Sequence, residues 1–330
     1  MAEPSVRVDT VAASEPVRRK SYGSFGLRVG LGAAAITFLL WHYDPQPILH
    51  AIARERIGFF AAAVALYIAG QALSAWRWRW LAEMNALPGG YWDYLRYYFI
   101  GVFTNLFVPG LIGGDAARAL YLGRRHDRLN AAIASVVADR GIGLVSLFWF
   151  AAVAAVVFTS IVLPAPVREA VLILGAAAFA GWLLAPLLIR CAPLLPAKLM
   201  ALMTAFLLYL ERPWAILPAI GISIVLQASL AICQYLIALG LGLTSPLSAF
   251  LVCVPIANVI ASVPLTLNGL GLRETAYLVL LGGIGVTHPD AIAMGLLWFA
   301  ATMTGGLTGI IAFTTTELPS AAVKCGGVND

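Results

Sequence analysis

The chain has 330 residues, 61% of them apolar and 11% charged, with a formal charge of +5 and a mean hydropathy of +0.88. A soluble domain carries roughly a quarter charged residues, so these values exclude an ordinary soluble enzyme and predict an all-α polytopic membrane protein. The basic residues sit at the ends of apolar runs, without a stripe of interleaved aromatics, which excludes nucleic acid as a partner.

Residues 1–24 read as a polar cytoplasmic tail carrying Arg18, Arg19 and Lys20. The apolar run after it, Phe25–Tyr43, has no small-x-small cleavage site and ends in Trp41-His42-Tyr43, so it is expected to be an uncleaved first span. An interfacial piece follows at Pro45–Arg56. The second span is Ile57–Trp76, closed by a Trp-Arg-Trp-Arg-Trp run that marks a membrane interface. Tyr97–Val108 is too short to cross, since a crossing needs about 20 residues. It is expected to pair with a half-helix at 114–123 as a re-entrant hairpin, broken around Pro109 and Gly113-Gly114. Further spans are expected at Leu129–Leu163, Arg168–Leu188, Trp214–Leu241 and Asp290–Thr315, with an amphipathic linker at Lys198–Leu210. A second hairpin is formed by Ala249–Val263, a break at Pro264–Gly271 and a half-helix at Leu272–Leu281. The total is about six full spans plus two re-entrant helical hairpins, eight transmembrane segments if each hairpin counts once.

The hairpin occurs twice. Pro109, Gly114 and Arg118 repeat as Pro264, Gly269 and Arg273, 155 residues on; Gln71 and Ala75 repeat as Gln227 and Ala231 at 156, and Ala132-Ile-Ala134 as Ala291-Ile-Ala293 at 159. We read an internal duplication, with repeat 1 at 57–163 and repeat 2 at 213–316 within one membrane domain, 25–316, and a cytoplasmic tail at 317–330. Coincidence in an Ala- and Leu-rich chain is the alternative. Lysines and arginines near span ends, among them Arg77, Arg79, Arg96, Arg124, Arg125, Arg128, Arg190, Lys198 and Arg212, gather on one side if both termini are cytoplasmic. That arrangement inverts the second repeat relative to the first. Inverted repeats with helices broken at matching positions point to a transporter with its site near the midplane.

Charges at membrane depth are costly and usually functional. Arg118 and Arg273 stand one turn into the two half-helices, where a guanidinium suits bidentate binding of phosphate. Gly113, Gly114, Asp115, Asn268, Gly269 and Gly271 shape the two tips around them. The alternative pins each arginine to a carboxylate: Asp115 or Asp139 for Arg118, Glu274 for Arg273. Asp139 and Arg140 point about 100° apart on a helix, so each needs another partner; a coupling role and a structural ion pair are both open. Gln71 and Gln227 either line one cavity or bond between helices. Asn105, Asn258 and Asn268 flank the breaks and suit freed backbone groups. Trp76, Trp80, Trp92 and Trp214 read as interface anchors, and Gly175–Gly181 and Gly305–Gly309 as helix-packing faces. The scattered Cys191, Cys233, Cys253 and Cys325 have no ligand spacing. No Walker loop, G-x-S-x-G or metal cluster is present, so no cofactor or metal is expected and no catalytic residue is assigned.

The run Phe103–Arg118 (F-x-x-N-L-x-x-P-x-x-x-G-G-D-x-x-R), Ala138-Asp-Arg-Gly141 and Asn268-Gly-Leu-Gly-x-Arg-Glu274 resemble the lysylphosphatidylglycerol synthase transmembrane region, or flippase-like domain, family. The resemblance covers roughly residues 25–316. It implies a membrane domain that flips lipids, and it implies that Gly113, Gly114, Asp115, Arg118, Asp139, Arg140, Gly269, Gly271, Arg273 and Glu274 matter. The best-known members join such a domain to an aminoacyl-transferase domain; these 330 residues do not include one, so the chain is not expected to charge a lipid itself.

The expectation is therefore a multi-pass protein of a bacterial-type inner membrane that translocates an anionic phospholipid or polyprenyl-phosphate-type lipid, with lipid-synthesis enzymes as a further class of partner. The alternatives are a membrane enzyme or enzyme subunit acting on a lipid phosphate, and a scaffold for such enzymes.

Overall fold

The computed structural model describes residues 45–107, 112–191, 209, 213–262 and 271–317, with side chains for all of these except 112, 185–191 and 213. The expected first span, most of the linker at 198–210, Pro109, Pro264, Asn268 and Gly269 lie outside the described residues. Every described element is a helix. In chain order they are α1 (Pro45–Ala53), α2 (Ile57–Met84), α3 (Tyr91–Phe107), α4 (Ile112–His126), α5 (Leu129–Val157), α6 (Ala165–Cys191), α7 (Pro213–Gly240), α8 (Leu247–Ala261), α9 (Leu272–Gly282), α10 (His288–Leu307) and α11 (Gly309–Thr315).

Five stretches are long and apolar enough to cross a membrane: Ile57–Met84, Leu129–Val157, Ala165–Leu184, Trp214–Gly240 and His288–Thr315. They correspond to five of the six expected spans. Large apolar side chains such as Val157, Ile173, Phe179, Leu183 and Ile311 point outward along them, a surface that suits lipid. Trp76, Trp80, Trp92 and Trp214 are exposed, while Trp78 of the same Trp-Arg run is buried. The shorter helices have their own signals. In α4, Asp115 lies in the first turn and Arg124, Arg125 and His126 in the last, each complementing the helix dipole. In α9, Gly271 takes φ +84° and its N–H donates to Glu274 Oε2 at 2.6 Å, closing the first turn. The start of α10 is set by Thr287 at the cap, with Pro289 and Asp290 just inside.

The helix contacts form two matching sets. Along the chain, α2 packs on α3, α3 on α4 and α4 on α5; correspondingly α7 packs on α8, α8 on α9 and α9 on α10. Across the bundle, α5 meets α7 as α10 meets α2, α5 meets α8 as α10 meets α3, and α2 meets α5 as α7 meets α10. The most extensive contact joins α2 to α7. One core gathers Trp78, Tyr94, Ile100 and Ala132 in the first set, and another gathers Ile237, Phe250, Tyr277 and Ile292 in the second.

Bare backbone holds the crossings together. A Cβ on Gly114 would overlap the Gly101 carbonyl oxygen, so α3 and α4 touch main chain to main chain. Gly305, Gly306 and Gly309 receive Tyr67, Leu106 and Phe99 at similarly close range, the packing read from the sequence at Gly305–Gly309. In the other glycine stretch, Gly175 meets Ala152, whereas Gly181 has no neighbour in reach among the described residues.

Candidate functional site

Around the first hairpin runs a chain of five charges. Asp139 of α5 is 1% exposed. Its Oδ1 accepts from Arg77 Nε of α2 at 2.9 Å and its Oδ2 from Arg118 Nη1 of α4 at 3.0 Å. Arg77 also donates to Ser223 Oγ of α7 at 2.7 Å and to the Asp139 carbonyl at 3.3 Å. Arg118 Nε donates to Asp115 Oδ1 at 3.1 Å, and its Nη2 lies 2.9 Å from the same oxygen. Asp115 in turn accepts two bonds from Arg140, Nε to Oδ2 at 2.8 Å and Nη2 to Oδ1 at 3.0 Å. The order is Arg77, Asp139, Arg118, Asp115, Arg140: three cations and two anions, hence one surplus positive charge.

The two ends of this chain differ. Arg118 is buried, its guanidinium 5.1 Å from the Trp78 ring and 4.9 Å from the Tyr98 ring, a position that stabilises a cation. Arg140 is exposed, its side chain keeping 45% of its surface accessible. Its Nη1 makes no hydrogen bond among the described residues. Asp139 and Arg140, adjacent in sequence, thus turn to different partners.

The tip of the first hairpin is closed by Asn105 of α3, whose Oδ1 accepts from the Gly114 N–H at 2.8 Å. This bond satisfies one of the free amides at the start of α4. Gly113 stands just before Gly114, within the same first turn.

The second hairpin is built differently. Arg273 lies in the first turn of α9 and is half-buried, and no carboxylate pairs with it among the described residues. Its Nε is shielded and has no hydrogen-bond partner there. Glu274 turns the other way, to the Gly271 N–H and against the bare backbone of Gly295 on α10. Between α2 and α7 lies a cavity of about 60 Å³ lined by Tyr67, Gly70, Gln71, Ser74, Ser229 and Cys233, among others. Gln71 therefore faces this cavity, whereas Gln227 donates to the Gly143 carbonyl of α5 at 3.4 Å and is not part of its wall.

The sequence reading treats Arg77 as an interfacial, topology-setting cation. The structure corrects this: α2 runs on to Met84, and Arg77 is 7% exposed inside the bundle. Ser223, Trp78 and Tyr98 escaped notice with it. The available signal was Ser74, Arg77, Trp78 and Leu81, the i, i+3, i+4, i+7 spacing of a buried helix face.

A search of curated proteins finds no match. The family described as lysylphosphatidylglycerol synthase TM region matches residues 25–309, most of the chain. With five apolar spans, two short-helix pairs and the charged run of Asp115, Arg118, Asp139 and Arg140 inside that match, the chain belongs to the lysylphosphatidylglycerol synthase TM region family.

Proposed function

We propose that this membrane protein translocates an anionic lipid, a phospholipid or polyprenyl-phosphate type, by passing its phosphate headgroup through the bundle while the hydrocarbon chains stay in the bilayer. The observation that carries this reading is uncompensated positive charge at membrane depth: the five-membered network has one more cation than anions, and Arg273 has no carboxylate partner among the described residues. Cations inside a bilayer are costly unless paired, and the phosphate of a substrate supplies the missing anion. The two matching sets of helix contacts support an internal duplication, the architecture in which a central site is flanked by two broken-helix hairpins. Under this reading both termini are cytoplasmic and the membrane is the inner membrane.

An acid–base enzyme on a lipid phosphate is the other reading. Against it stands the engagement of Asp115 and Asp139, each held by two arginines, which leaves the carboxylates occupied.

The test is reconstitution into vesicles containing head-labelled phosphatidylglycerol or phosphatidylcholine, with a membrane-impermeant quencher outside. Faster loss of the protected inner-leaflet signal for the anionic lipid, with the lipid mass unchanged, is expected. Covalent change of the lipid, or equal rates with and without protein, overturns the proposal.

A further inference from the structure

Two carboxyls lie deepest among the described residues, Asp139 and Glu274, each 1% exposed. They are satisfied in opposite ways. Asp139 accepts from two arginines, one on each oxygen. Glu274 has no cation: its Oε2 accepts from the Gly271 N–H at 2.6 Å, and its Oε1 is shielded and has no hydrogen-bond partner. The side chain is pressed against α10, where a Cβ on Gly295 would come within 2.7 Å of its Cγ and 2.9 Å of its Oε1. The helices around it offer no counter-charge. α9 packs on α8 and α10. α8 carries no charged residue, and its Cys253 donates to the Leu280 carbonyl at 3.8 Å. The titratable residues of α10, His288 and Asp290, stand at its start, and Asp290 is bonded to Arg54 and Thr287. On α9 itself are Tyr277, buried with its OH unpartnered, and Arg273, unpaired among the described residues. Neighbours on a helix point about 100° apart, which keeps Arg273 from Glu274 while the first turn is intact. At the offset linking Arg118 to Arg273, Glu274 falls on Ala119, so the first half has no such group.

Resting on the translocator reading for its purpose, we infer that Glu274 is a proton-binding site, and that its proton is released and regained in each transport cycle. An enclosed carboxylate without a cation is far costlier than the neutral acid, and such a group takes up a proton instead. With the proton on, the acid fits against the bare backbone of Gly295 and keeps the Gly271 N–H. When the proton leaves to water, the charge that remains is offset only by water or by Arg273. Either requires the side chain to swing away from Gly295 and give up the Gly271 N–H, which loosens the first turn of α9. Protonation of one group is thereby tied to the start of the second half-helix. Asp139 is unsuited to this task, because its two arginines hold its charge where it is. A proton gradient across the membrane then supplies the energy for moving the headgroup.

The experiment takes the full chain, wild type and Glu274→Gln, through two readouts. In detergent at neutral pH, infrared spectroscopy of the wild type is expected to show a protonated-carboxyl C=O band that Glu274→Gln lacks. The melting temperature is expected to hold, because the amide oxygen still accepts from Gly271. If no band is lost, the proton site is overturned and the translocator reading stands. Should Glu274→Gln fail to accumulate, Glu274→Asp, with its shorter arm, is expected to shift that band; an unshifted band overturns the site. The second readout is movement of head-labelled phosphatidylglycerol in vesicles, a lipid whose single phosphate charge stays constant from mildly acidic to mildly alkaline pH. Wild-type movement is expected to fall as pH rises, approaching about tenfold per pH unit, the limit for one proton. Glu274→Gln, permanently neutral, is expected to lose movement at every pH while still retaining phosphatidylglycerol in native mass spectrometry. A variant that moves lipid as the wild type does leaves Glu274 a helix cap and overturns the cycle. A variant that no longer retains the lipid puts Glu274 in the lipid site and overturns its role as proton carrier. If the wild type moves no lipid, the translocator reading falls and takes the cycle with it, and the infrared band alone decides the proton site.

Discussion

The two hairpins present the same arginine in opposite electrostatic settings. Around Arg118, α2, α4 and α5 supply two aspartates and two further arginines, and both aspartates are ion-paired within the protein. Arg273 makes no ion pair among the described residues, its Nε is unpartnered, and Glu274 is tied to its own helix start. The difference teaches that a duplicated motif need not mean a duplicated role. A guanidinium saturated by carboxylates is a rigid joint, whereas one left with open donors attracts anions.

The comparison breaks most easily at Asp139. Replacing it by Leu strands Arg77 and Arg118 without their shared carboxylate, and loss of one partner of a buried pair costs about 3–5 kcal/mol. We expect a strongly lowered melting temperature or failure to accumulate, read by thermal unfolding in detergent; Trp298→Leu, at the offset position, is expected to leave the charges of the first half intact and melt well above Asp139→Leu. Next comes Gly114→Ala, where the added methyl meets the Gly101 carbonyl and the Asn105 side chain. Overpacking costs about 1–3 kcal/mol, measured in the same way. The comparison is sharpened by Leu270→Asp, which places a carboxylate three residues before Arg273 as Asp115 stands three before Arg118. Phosphatidylglycerol retention is expected to drop about tenfold, or about 1.4 kcal/mol, with stability unchanged or raised; retained binding would count against Arg273 as the open site.

The smallest effect concerns pH. Glu55, in the loop between α1 and α2, packs so closely on Gly240 that a Cβ there would overlap its carboxylate. Both carboxylate oxygens are shielded and unpartnered, and burial pushes the carboxyl up to about 7, with Arg56 opposing. A carboxyl whose folded value is raised favours the folded state while it is protonated. The contribution is therefore full below about pH 4.5 and is lost as pH rises through about 7. Melting temperature is expected to decline modestly over that window, and Glu55→Gln to flatten the decline; an unchanged slope would show that the carboxyl is solvated.

The spans were legible because length and hydropathy alone decide whether a helix can cross, and Gly305–Gly309 was legible because small residues in a helix have few uses besides close packing. Tyr97 was placed as the start of the first short helix, but α3 begins at Tyr91; the Tyr-Trp-Asp-Tyr run looks interfacial and gives no local sign that Tyr94 is buried. Arg77 was illegible for a related reason. Counting cations by their distance from a span end assumes that each faces water, and nothing local to α2 reveals a carboxylate 62 residues downstream. The roles of Arg118 and Arg273 looked identical because the motif repeats; only the three-dimensional neighbours separate them.

Those 62 residues also matter to the making of the protein. As the chain is synthesised, Arg77 leaves the ribosome before Asp139, and an unpaired arginine in an inserting helix carries a cost that reaches about 2.5–3.5 kcal/mol at the helix centre and is less nearer its ends. That cost is offset only once α5 brings Asp139 against it, so the pairing that fixes the finished bundle cannot be made before α5 has been synthesised.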